Sequence, residues 1–84
     1  GLERCTAFVG GVRWLLPTPP DGQVLDAAVK VRARHEPAPA RLLVQGETVR
    51  VEFATPIAAI TPGQAAVFYA GERVLGGGWI DGSA

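Results

Sequence analysis

The sequence predicts an all-β fold, a small barrel of six to seven short strands. Three observations carry that prediction. Two runs, 27–34 and 48–53, alternate apolar and polar residues with a period of two, the mark of half-buried strands. Eleven glycines and seven prolines are spread over 84 residues, a load that suits short strands and tight turns better than helices. No segment carries a convincing helical period. Closing such strands into a barrel removes edges that would otherwise pair with other chains.

Each element follows in order. Residues 6–16 are apolar with Gly10-Gly11 in the middle; a glycine pair inside a strand pattern predicts a bulge or a bend at a barrel corner. Pro17 stops the run, and Pro19-Pro20-Asp21-Gly22 has turn chemistry. In 27–34, Val29, Val31 and Ala33 share one face while Lys30, Arg32 and Arg34 share the other. Pro37 and Pro39 end this strand. Residues 41–44 and 48–53 read as a hairpin around Gln45-Gly46-Glu47, with Val49, Val51 and Phe53 inward and Thr48, Arg50 and Glu52 outward. Pro56 breaks the pattern. Thr61-Pro62-Gly63-Gln64 has the type II arrangement, proline second and glycine third. Residues 65–69 and 73–75 flank Ala70-Gly71 as a second hairpin. Gly76-Gly77-Gly78 then leads into Trp79-Ile80, and three glycines in a strand allow a sharp bend or a close backbone approach.

Composition bounds the function. One domain, residues 1–84, is all the length allows. Hydrophobic residues make up 48% and charged residues 19%, which excludes a disordered tail. The formal net charge is zero, so any nucleic-acid contact comes from a local patch rather than from the whole surface. No apolar run approaches the roughly 20 residues of a membrane helix. Glu3 and Arg4 come at once with no apolar region after them, which is not a signal-peptide pattern. One cysteine cannot form an internal disulfide, and this suits a reducing cytosol. The expected location is cytoplasmic, with no membrane partner.

No catalytic site emerges from the residues. His35 is the one histidine, no second ligand stands at metal spacing, and Cys5 has no visible base partner; nucleophilic catalysis needs one. Gly76-Gly77-Gly78 lacks the Lys-Ser or Lys-Thr and the helix of a phosphate loop and reads as a strand bend. The best lead is the face carrying Lys30, Arg32 and Arg34, cations about 6–7 Å apart along a strand. Arg41 can add to them. Such a face can grip phosphates, or it is simply the solvated side of a half-buried strand. Gln64, held by its turn, can offer an amide to a base edge or sugar, or it merely begins the next strand.

The runs Thr61-Pro62-Gly63-Gln64-Ala65-Ala66-Val67-Phe68-Tyr69, Gly71-Glu72 and Val74-Leu75-Gly76-Gly77-Gly78-Trp79-Ile80 closely resemble the end of the tRNA-specific 2-thiouridylases. Val12-Arg13-Trp14-Leu15 and Lys30-Val31-Arg32-Ala33-Arg34-His35 resemble two further family motifs, in the same order. The likeness covers about residues 6–80.

The resemblance implies a C-terminal β-barrel of a larger multidomain enzyme, similar to the second domain of elongation factors. It implies ATP as the parent's cofactor and none in this domain. The parent would activate the wobble uridine and replace its 2-oxygen with sulfur delivered as a persulfide by a sulfur-relay donor protein. The implied partners of the barrel are the anticodon region of tRNA and the catalytic domain of the same polypeptide. The barrel itself would be non-catalytic. Arg32 and Ala33 match the family's Arg-Tyr pair that touches tRNA, and Gln64 matches its glutamine. Lys30 and Arg34 flank that pair. Ala33 stands where the family has tyrosine, which leaves only its backbone to make a contact, and His35 replaces a glutamine. The competing expectation is a structural barrel that braces the catalytic domain without touching RNA.

Overall fold

The computed structural model describes residues 3–31 and 36–84. Six strands run through them: β1 (Glu3–Trp14), β2 (Val24–Lys30), β3 (Ala38–Gln45), β4 (Thr48–Ala58), β5 (Ala65–Ala70) and β6 (Arg73–Ser83). They close in the order β1-β4-β3-β2-β5-β6, and every pairing is antiparallel. The lower of the two expected strand counts is therefore the observed one, and no helix occurs among the described residues.

Alternation decides what fills the barrel. Leu42 and Val44 on β3, Val49 and Val51 on β4 and Phe68 on β5 are essentially inaccessible, while their strand neighbours Arg41, Gln45, Arg50 and Glu52 remain at least partly exposed. β1 needs a correction to keep this up. Ala7 and Val9 point inward, and then the β1–β6 register slips between Gly10 and Arg13. Gly11 takes a φ of 58° there, a left-handed conformation that glycine adopts without strain. The bulge moves the alternation by one residue, so Val12, Trp14 and Leu16 continue the inner face. Trp14 meets Phe68 with ring centroids 5.7 Å apart, within the range of favourable tilted aromatic pairs.

The glycine run explains how β6 fits. A side chain on Gly76 would collide with the Arg13 carbonyl oxygen, and one on Gly78 with that of Gly10. At Gly77 it would lie 2.5 Å from the carbonyl oxygen of Ala66. The run is a strand pressed against backbone on both sides, as the sequence led us to expect.

Two prolines behave differently from expectation. Pro39 does not merely end a strand; it lies inside β3, opposite Ala28, near the strand's start, where proline is tolerated. Pro56 does not break β4. The β1–β4 register jumps between Arg4 and Thr6, so residues 53–56 lie opposite Cys5 alone. Pro56 falls in that interruption, where no ladder hydrogen bond requires its missing N–H. The remaining loop is pinned to the barrel. Asp21 Oδ1 accepts from the Gly46 N–H at 2.8 Å, and Gly22 N–H donates to the Val44 carbonyl at 2.8 Å.

Candidate nucleic-acid interface

Lys30 is the last residue of β2. Its register partner is Val67 on β5, three positions along the chain from Gln64. Adjacent strands lie about 4.8 Å apart and each strand residue advances about 3.4 Å, so the two stand at the same end of the β2–β5 pair. Of the expected contact residues, Arg32, Ala33 and Arg34 lie outside the described residues, as does His35. Lys30 and Gln64 are the two whose placement is defined.

The turn that carries Gln64 is built as its sequence predicts. Gly63 has a φ of 92°, as the third position of a type II turn requires, and the Gln64 N–H donates to the Thr61 carbonyl at 3.4 Å. The side chain closes the turn from the other direction: Gln64 Oε1 accepts from the Thr61 N–H at 3.1 Å. Gly63 N–H donates to the Ile80 carbonyl at 2.9 Å and Ile80 N–H to the Gln64 carbonyl at 2.7 Å, which staples the turn to β6. The amide oxygen thus serves the protein, and the amide nitrogen is the end that can donate to a ligand.

Arg41 stands among carboxylates. Its Nε lies 3.4 Å from Asp26 Oδ1, and its other cross-strand neighbour is Glu52. Two carboxylates therefore flank one guanidinium. Glu52 is engaged in turn. It accepts from the Thr6 hydroxyl at 2.8 Å and pairs with Arg50. Those two hydrogen bonds, Thr6 first and Arg50 second, hold its carboxyl below the ordinary value against a smaller opposing effect of burial.

Two outward residues went unmarked in the sequence, Arg13 and Trp79. The signal was available: Ile80 points inward, so Trp79 must point out. Trp79 is 59% exposed and lines a groove of about 350 Å³ together with Leu15, Val74 and Gly76–Gly78. Cys5 is exposed, and no group of metal-binding side chains occurs among the described residues. No helix of the described residues is long and apolar enough to cross a membrane.

The architecture and this edge define a small β-barrel module, and comparison with known proteins places it. Residues 5–80 match the family model described as an aminomethyltransferase β-barrel domain. The chain is 52% identical over 77 residues to the tRNA-specific 2-thiouridylase MnmA of Desulforudis audaxviator, covering 89% of this chain and 22% of that protein. It is 48% identical over 80 residues to the enzyme of the same name from Chloroflexus aggregans, covering 94% of this chain and 22% of the relative. Against that of Solibacter usitatus it is 55% identical over 62 residues, with 71% and 17% covered. The chain belongs to this family, as the C-terminal barrel domain of the tRNA-specific 2-thiouridylases. It spans about a fifth of the length of these relatives.

Proposed function

We propose that this barrel is a tRNA-binding module, using the edge shared by Lys30 and Gln64 to hold the anticodon region against a catalytic domain of the same polypeptide. The observation that carries the reading is that edge. The two residues come from separate motifs, yet Lys30 sits opposite Val67, three positions from Gln64. Lys30 supplies a phosphate contact and the Gln64 amide nitrogen a directional donor, a division between positioning and readout common in nucleic-acid recognition. Arg32 and Arg34 extend the cationic run by sequence, and Ala33 contributes backbone only. The relatives' name supports tRNA as the ligand.

In this reading the ATP-dependent replacement of the wobble uridine's 2-oxygen by sulfur takes place elsewhere in the parent. The barrel contributes orientation, not chemistry. Its glycine run lacks the Lys-Ser or Lys-Thr and the following helix of a phosphate loop. The barrel's share of the affinity is small and salt-sensitive, as few phosphate contacts dictate.

The experiment is tRNA binding by the intact polypeptide and by its Lys30→Ala, Arg32→Ala, Gln64→Ala triple variant, each across a salt series. The variant is expected to bind more weakly and with a shallower salt dependence, each lost phosphate contact lowering the slope by about one. Identical affinity and slope would refute the assignment.

A further inference from the structure

We infer that the outer strip running from Arg13 through Gly77 and Val67 to Lys30, bordered by the Trp79 indole, is a stacking platform for unpaired nucleotides of the bound RNA. The inference deepens the tRNA reading and rests on it. The strip follows from strand register. Arg13 is opposite Gly77, Gly77 is opposite Val67, and Val67 is opposite Lys30. Directly opposed residues in antiparallel strands point to the same face. Val67 lies between Ala66 and Phe68, both fully buried, so that face is the outer one. The row crosses β1, β6, β5 and β2, three inter-strand steps of about 4.8 Å. It connects the groove beside Trp79 to the Lys30–Gln64 edge.

The chemistry along the strip is that of a single-strand binder. Trp79 offers an exposed flat ring, and Gly77 leaves the row low at its centre. Arg13 is the one charged residue lining the groove, and Lys30 supplies a second cation at the far end. The one carboxylate of β6, Asp81, lies against Gly10, the register partner of Trp79, and so borders the indole on the side opposite Gly77. An aromatic face with cations along the strip attracts bases by stacking and their phosphates by charge. Ala65, which pairs with Trp79, follows Gln64 directly, so the indole and the Gln64 turn occupy neighbouring positions along the strand.

The test uses the intact polypeptide and tRNA substituted with 5-bromouridine. Ultraviolet crosslinking followed by peptide mapping should place a crosslink at Trp79. Trp79→Ala and Arg13→Ala should each weaken tRNA binding roughly tenfold, the scale of one lost stacking partner, and Trp79→Phe should restore most of it. Thermal melts of these surface variants should match the parent, which separates lost binding from lost folding. If Lys30→Ala and Gln64→Ala weaken binding while Trp79→Ala does not and no crosslink forms there, the platform is wrong although the tRNA reading stands. If Trp79 is already protected from oxidation by N-bromosuccinimide before RNA is added, another part of the polypeptide covers it, and the platform is likewise overturned. Failure of every barrel variant to change tRNA affinity would remove both readings.

Discussion

Thr6, buried on β1, donates its hydroxyl proton to Glu52 Oε2 on β4 at 2.8 Å. The two are register partners across the strand pair, and Thr6 is the one buried polar residue of the barrel among those described. The bond satisfies a hydroxyl that would be costly to bury alone. It also stabilises the ionised form of Glu52, and Arg50 adds to that.

A pH dependence follows from this pair. Glu52 has a lower pKa folded than unfolded, so it contributes stability above the unfolded carboxylate range, and that contribution is lost as pH falls through the folded value. Thermal melts should show the protein losing stability from about pH 5 downward. Glu52→Gln should be less stable than the parent at neutral pH and converge with it in acid. A constant gap between the two at all pH values would contradict the coupling.

Gly78→Ala is expected to destabilise the barrel strongly, because the new methyl group meets the Gly10 carbonyl oxygen and Val9. Neither can move without opening the β1–β6 ladder, and overpacking of this kind costs about 1–3 kcal/mol or more. Gly82→Ala is the matched control on the same strand, since no atom lies within 4 Å of its added Cβ. Denaturant melts should separate the two variants clearly, with Gly82→Ala close to the parent.

Gln64 can be divided by substitution. Gln64→Glu keeps an oxygen to accept from the Thr61 N–H but removes the amide donor; Gln64→Ala removes both. If the nitrogen faces RNA, Gln64→Glu should melt near the parent temperature yet bind tRNA more weakly. Gln64→Ala should lose on both counts, by about 0.5–1.5 kcal/mol in stability for one turn hydrogen bond. Equal tRNA binding by parent and Gln64→Glu would assign the residue to the turn alone.

Arg41 should matter little. Its pairing with Asp26 is exposed, with both side chains at least 75% accessible, and such pairs contribute about 0–1 kcal/mol. Arg41→Ala should leave stability nearly unchanged and, because Asp26 and Glu52 surround the site, should not weaken tRNA binding. A loss comparable to that of Lys30→Ala would restore Arg41 to the cationic face.

The residues differ in how much they disclose before folding. Val49, Val51 and Phe53 alternate cleanly because one face of β4 is core and the other is solvent, so their placement was legible. Gly76–Gly78 was legible for a different reason, since only close backbone approach justifies three glycines in a strand. Pro39 and Pro56 misled because proline's cost depends on whether a partner needs its N–H, and that depends on register. The carboxylate neighbours of Arg41 were not legible because they lie across strands, away in sequence. The Gln64 side chain was seen as a donor but not as the acceptor that closes its own turn. The strip from Arg13 to Lys30 was invisible, because it is written across four strands and along none.

The placement of β1 governs how the molecule must assemble. It pairs with β4 and β6, so the first strand is finished only when the last has arrived. The β3–β4 and β5–β6 hairpins join neighbours in sequence and can form within microseconds. The final ladder carries the entropy of closing nearly the whole chain into a ring. Topologies dominated by such distant pairings fold in milliseconds to seconds. The Gly10–Gly11 bulge and the Gly76–Gly78 run therefore sit on the pairing of greatest sequence separation, where one added methyl group would act on the closing of the ring as well as on its packing.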